Sequence, residues 1–128
     1  MSRDFRRLHV FRMADELVIA VYRATAGLPL AERYGLQAQI RRAAVSVVAN
    51  IVEGCQRPST KDYLRFIAIS LGSASETRYS LGIAARLGYL SNGDGVALDT
   101  GYGSLVRSLD RLVDSLQRLP SVPVARSP

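Results

Sequence analysis

The chain has 128 residues, 48% of them hydrophobic and 22% charged, with a net charge of +6. That length suits one domain able to bury its own core without metal or disulfide staples, and the lone cysteine, Cys55, excludes an intrachain disulfide. The opening MSRDFRRLHVF lacks the apolar stretch of a signal peptide, and the longest apolar run, Ala43 to Val52, is about half a membrane span and carries Asn50, so a cytoplasmic, non-membrane protein is expected.

Four segments read as helices. The first runs from about Leu8 to Ala26, with Leu8, Phe11, Ala14, Val18, Val21, Thr25 and Leu28 on one face, and Gly27-Leu28-Pro29 stops it. The second runs from about Glu32 to Gly54, on a stripe of Leu36, Ile40, Ala43, Val47, Ile51 and Val52. Pro58 breaks the pattern, and Ser59 with Asp62 is a capping-box-like start for a third helix from Thr60 to about Leu87. Gly88 and SNGDG (91–95) end it. The fourth runs from about Asp94 to Leu119 on Leu105, Leu109, Leu112, Leu116 and Leu119; Gly101 and Gly103 predict fraying of its first half. Residues 120–128 have little to bury and are expected to be disordered. No strand alternation of any length occurs. The expected fold is all-α: an antiparallel up-down-up-down four-helix bundle over residues 1–119.

Helices two and three carry more apolar surface than one bundle needs. In AAVSVVANIV apolar or small residues point all round the axis, and in YLRFIAISLGSASE the residues Leu64, Ile67 and Leu71 leave Phe66, Ile69 and Ser73 on another side. A helix apolar all round is buried all round, so a homo-oligomer packed through helices two and three is expected, with Gly72-Ser73-Ala74-Ser75 admitting a second helix. Scattered surface apolars are the plainer reading. A polar stripe runs beside this surface: Gln39, Arg42, Ser46, Asn50, Glu53 and Arg57 on helix two, and Ser73, Glu76 and Ser80 on helix three. Such a seam fixes register between helices. Asn50, Glu53 and Glu76 are expected at helix contacts or a subunit interface, with Arg42, Arg57 or Arg78 as partner to a buried glutamate.

The sequence offers little to catalytic or metal-binding chemistry. His9 is the only histidine, Cys55 follows Gly54 at a helix C-terminus where the dipole raises a thiol pKa, and no Glu-x-x-His pair stands ready for a di-metal bundle. GDG (93–95) and GYG (101–103) are too short for a phosphate loop. No catalytic residue, metal or cofactor is expected.

Basic groups remain. All but one of the 17 basic residues, Lys61, are arginine. Arginine suits phosphate, although GC-rich codon usage also yields this ratio. Arg3, Arg6, Arg7 and Arg12 cluster at the N-terminus, and Arg57, Lys61 and Arg65 surround the start of helix three. Contacts to phosphate from such groups give sequence-independent, salt-sensitive binding; local pairing with Asp4 or Asp62 is the alternative. No aromatic interleaving in the sequence marks a base-stacking platform.

Four blocks stand in order: YGLQAQIRRAAVSVVANIVEG (34–54), the R-x-S-x-x-D-Y-L-R-F start of helix three (57–66), IAISLGSASE (67–76) and ARLGYL (85–90). Together they resemble the four-helix bundle family first described as proteins encoded in intervening sequences of 23S ribosomal RNA genes, a family that includes the accessory variability protein of diversity-generating retroelements. The resemblance covers roughly residues 5 to 119. It implies a non-catalytic protomer assembled as a ring-like homopentamer. For the retroelement branch it implies a basic surface for RNA or DNA and a reverse transcriptase partner. The family's signature falls on Gln39, Arg41, Arg42, Ser46, Asn50, Glu53, Gly54, Arg57, Ser59, Arg65, Phe66, Ser73 and Glu76, with departures at Val47-Val48, Val52 and Asp62.

The expected function is a non-enzymatic oligomeric accessory protein that binds nucleic acid through Arg3, Arg6, Arg7, Arg12, Arg41, Arg57, Lys61 and Arg65. Gln39, Arg42, Ser46, Asn50, Glu53, Phe66, Ser73 and Glu76 would hold the assembly. The competing expectation is an adaptor oligomer that docks a protein and uses its charge for solubility.

Overall fold

A computed structural model describes residues 3–120. Four helices carry the chain: α1 (His9–Thr25), α2 (Leu36–Cys55), α3 (Thr60–Arg86) and α4 (Asn92–Gln117), with 3-10 turns at Phe5–Arg7 and Leu30–Glu32. No strand occurs among the described residues. The expected disordered tail lies, apart from Pro120, outside them.

Local chemistry sets the boundaries. Ser59 Oγ accepts from the Asp62 N–H at 3.1 Å, so α3 starts where the sequence places it. Ser91 Oγ accepts from the Asp94 N–H at 3.1 Å in the same way, which starts α4 at Asn92, two residues earlier than expected. Helix α2 starts later than expected. After Pro29, residues 30–32 form a 3-10 turn, and Glu32 Oε1 turns back to accept from the Leu36 N–H at 3.3 Å. Glu32 therefore caps the helix instead of opening it. At the end of α3, Gly88 adopts φ +77, Tyr89 N–H donates to the Ala84 carbonyl at 2.9 Å and Gly88 N–H to Ala85 at 3.0 Å. This paired closure needs a residue free to enter the left-handed region.

The predicted fraying of α4 does not occur; the helix is continuous through Gly101 and Gly103. A Cβ at position 101 would lie 2.6 Å from Leu17 Cδ2 of α1. A side chain there would have to turn the Leu17 methyl aside, and tertiary packing offsets the low helix propensity of glycine.

Each helix packs on two neighbours: α2 on α1 and α3, α4 on α3 and α1. Val21, Ile40, Val47, Ile51, Ile67, Tyr102, Leu105 and Leu109 are fully buried at the centre. The buried residues of α3 are Tyr63, Ile67, Ser70, Ala74, Thr77, Ser80, Leu81 and Ala84; Leu64 and Leu71 are only half-buried. Small residues thus face α2 where leucines were expected. Two of their hydroxyls are satisfied by backbone: Ser70 Oγ donates to the Val47 carbonyl at 2.7 Å, and Thr77 Oγ1 to the Ser73 carbonyl at 2.7 Å. Along the two helices Ser46 meets Ser73, Val47 meets Ser70 and Gly54 meets Phe66. Among the described residues, no helix is long and apolar enough to cross a membrane.

Candidate functional site

The N-terminal segment brings two distant groups of arginines together. Its 3-10 turn packs on α1 and α2. The Arg3 N–H donates to the Cys55 carbonyl at 2.9 Å, and Arg3 Nη1 donates to the Arg57 carbonyl at 3.3 Å. The Arg3 guanidinium then lies over the Tyr63 ring, 4.0 Å from its centroid. Next to it, Arg57 and Arg65 stand over Phe66 at 5.0 and 4.6 Å. Three cations therefore rest on two neighbouring rings at the junction of α2 and α3. Gly54 permits the junction: a Cβ there would lie 3.0 Å from Phe66 Cβ and 3.3 Å from Tyr63 Cδ1.

Arg6, Arg7 and Arg12 extend this end of the molecule. Arg12 Nη1 donates to the Arg6 and Arg7 carbonyls at 3.4 and 3.3 Å, which ties α1 to the turn before it. Arg6 lies 5.1 Å from the centroid of Phe5, which packs edge-on against Phe11. Acids are interspersed. Arg7 is 3.9 Å from Asp4, Arg65 is 3.8 Å from Asp62, and Arg57 pairs with Glu53. Lys61 is exposed and, among the described residues, forms no ion pair. All these groups keep substantial solvent access, so each pair contributes little to stability.

The polar stripe of α2 does not act as one unit. Asn50 Nδ2 donates to the Ser46 carbonyl at 2.8 Å and to Ser46 Oγ at 3.0 Å, and Ser46 Oγ lies 2.9 Å from Ser73 Oγ. These three half-buried residues form a contact between α2 and α3 of the same protomer. Gln39, Arg42, Glu53 and Glu76 are exposed. Glu76 forms no ion pair among the described residues, and Arg78, a candidate partner, pairs instead with Asp99 at 2.9 Å. That pairing holds the Asp99 carboxyl below its ordinary range, chiefly through the Arg78 hydrogen bond. Of the small run expected to receive a second copy, Ala74 is buried in this protomer's core, Ser73 meets Ser46, and Gly72 and Ser75 are exposed.

Arg41 belongs elsewhere. Its Nε donates to Thr25 Oγ1 at 2.9 Å and its Nη2 to the Tyr22 carbonyl at 3.0 Å, with the guanidinium 4.5 Å from the Tyr22 ring centroid. It clamps the end of α1 to the start of α2. Beside it an open cleft of about 540 Å³ is lined by Tyr22, Arg33, Tyr34, Arg41, Arg42 and Val45, among others. Linear sequence reasoning missed this cluster. Its only signal was the adjacency of Arg33 to Tyr34 and of Arg41 to Arg42, with Tyr22 brought in by the fold. Aromatic interleaving, absent along the sequence, is present in space.

Among the described residues, no group of three or more His, Cys, Asp or Glu could hold a metal ion. His9 is exposed. Cys55 is buried, and that burial raises its thiol pKa despite the opposing charge of Arg3.

A search of curated proteins gives no significant match. Among solved structures, the chain is similar to the crystal structure of a protein with unknown function from the S23 ribosomal protein family of Bacteroides thetaiotaomicron. The TM-score is 0.75 at 23% identity, covering 81% of this chain and 97% of that one. At that identity the likeness establishes the fold alone. The sequence blocks between Tyr34 and Leu90 are matched by a family model spanning residues 6–111, so the chain belongs to the 23S rRNA-intervening sequence protein family.

Proposed function

We propose that this chain is a non-enzymatic, oligomeric accessory protein of the cytoplasm that binds nucleic acid through phosphate contacts from its arginines. The protomer is read as an antiparallel up-down-up-down bundle, which the Ser46–Ser73, Val47–Ser70 and Gly54–Phe66 pairs support. The observation that carries the functional reading is the convergence of Arg3, Arg57 and Arg65 on Tyr63 and Phe66, with Arg6, Arg7, Arg12 and Lys61 nearby. Ring contacts orient the guanidinium planes without neutralising them, and the solvent-exposed carboxylate partners of Arg57 and Arg65 can give way to phosphate. Assembly as a homopentamer through α2 and α3 is part of the proposal, supported by Ile69 exposed on α3. Repetition round a ring would multiply a modest patch into an extended positive surface. A reverse transcriptase is the protein partner proposed for a retroelement setting.

A second reading has its own support. Asp4, Glu53 and Asp62 stand beside Arg7, Arg57 and Arg65, as expected for an adaptor whose charges serve solubility. The double variant Lys61→Glu, Arg65→Glu separates the two, since both side chains are exposed and neither builds the core. The nucleic-acid reading expects weaker binding to duplex DNA and a smaller dependence on salt, by roughly one unit of log–log slope per lost phosphate contact. No binding to duplex DNA by the wild type would favour the adaptor, whereas unchanged binding by the double variant would remove Lys61 and Arg65 from the interface. For the assembly, light scattering should report a changed mass for Glu53→Leu, since Glu53 is exposed on α2; an unaltered pentamer counts against the seam's role.

A further inference from the structure

The cleft at the α1–α2 connection differs in kind from the basic end. At the basic end acids accompany the arginines; here Arg33, Arg41 and Arg42 line a cleft that no carboxylate lines, and none of the three forms an ion pair among the described residues. Tyr34 is 88% exposed and Tyr22 40%, so two aromatic faces meet water beside three uncompensated guanidiniums. Arg33 lies 5.7 Å from the Tyr34 ring centroid. Arg41 cannot wander, because Thr25 Oγ1 and the Tyr22 carbonyl fix it, and it braces Tyr22 in turn. Arg42 is exposed.

The exposed Tyr34 ring offers stacking to a planar base, and guanidiniums without ion pairs offer charge to the phosphates on either side of it. We infer that this cleft binds single-stranded nucleic acid, with an unpaired base on the Tyr34 ring and flanking phosphates on Arg33 and Arg42. The inference rests on the nucleic-acid reading above and narrows it to a second site and a strand class. A duplex keeps its bases stacked inside and cannot present one to Tyr34, whereas a single strand can. Position 41 is about 21 Å along α2 from its last residue, Cys55, beside the basic end, so one strand could engage both surfaces of a protomer.

The test is anisotropy titration of the full chain with a labelled oligothymidine and with a duplex of equal length. Four proteins are compared: wild type, Tyr34→Ala, Tyr34→Phe and Arg42→Gln. Tyr34 and Arg42 are exposed, so the substitutions leave the core intact; circular dichroism confirms it. The inference expects Tyr34→Ala to weaken single-strand binding roughly five- to hundredfold, the loss typical of one stacked base, with Tyr34→Phe near wild type and duplex binding unchanged. Arg42→Gln should reduce the salt dependence of single-strand binding. If Tyr34→Ala affects neither probe while both bind, the stacking site is refuted and the general reading stands. If wild type binds neither, both fall.

Discussion

Gly54→Ala tests whether the junction that seats Tyr63 and Phe66 is built as described. The new Cβ would sit 3.0 Å from Phe66 Cβ, 3.3 Å from Tyr63 Cδ1 and 3.5 Å from the Tyr63 carbonyl oxygen. Favourable carbon–carbon contact lies near 3.5–4.0 Å, and Phe66 Cβ is fixed to the α3 backbone, so no side chain can rotate away. The two helices must part by a few tenths of an ångström. Overpacking of this kind costs about 1–3 kcal/mol. Alanine recovers about 1 kcal/mol of helix propensity, which leaves a net loss of roughly 0–2 kcal/mol. Gly82→Ala isolates the steric part. Position 82 is also helical, but a Cβ there meets nothing within 4 Å. That variant should be neutral or more stable by up to about 1 kcal/mol. Urea and thermal melts by circular dichroism should place Gly54→Ala below Gly82→Ala by about 1–3 kcal/mol. If Gly54→Ala equals or exceeds Gly82→Ala, the close approach of α2 and α3 is wrong.

Three further outcomes are expected. Arg41→Ala removes two hydrogen bonds and a ring contact that join α1 to α2, and urea melts should show a loss of about 1–2 kcal/mol. Asp99→Asn should cost under about 1 kcal/mol near neutrality, since the Arg78 pair is largely exposed. Because the folded Asp99 pKa is lowered, its contribution is present above the unfolded value of about 3.9 and fades as pH falls through the folded one. Melts of the two proteins should therefore converge on acidification, and a gap that widens there would contradict the pairing. Cys55 is buried with its thiol pKa raised, so a thiol reagent such as Ellman's should modify it only as fast as the protein opens, and quickly in denaturant. Rapid reaction of the native protein would refute that burial.

Much of the fold was legible because its determinants are local. Ser59 and Asp62 announce α3, Gly88 ends it, and leucines at three-four spacing mark α4. What could not be read depends on neighbours distant in sequence. Gly101 looks like a weak point until Leu17 is seen against it, and Glu32 looks helical until its carboxylate turns back to Leu36. On the buried side of α3 Ile67 was legible, but Ser70 and Thr77 were not: each hydroxyl donates to a backbone carbonyl, so each packs as a small core residue. The candidate site followed the same rule. Individual arginines were visible, but not that Arg3 would reach Tyr63 or that Tyr22 and Tyr34 would share a cleft with Arg41 and Arg42.

The central claim is that the arginine surface contacts phosphate. Its most direct test is the affinity of the purified protein for a structured RNA and a duplex DNA at about 50 and 200 mM salt. Phosphate contact by the arginines predicts binding at the lower salt that weakens about a hundredfold or more at the higher, the mark of several contacts in one complex. Absence of binding at low salt, or an affinity indifferent to salt, would contradict it.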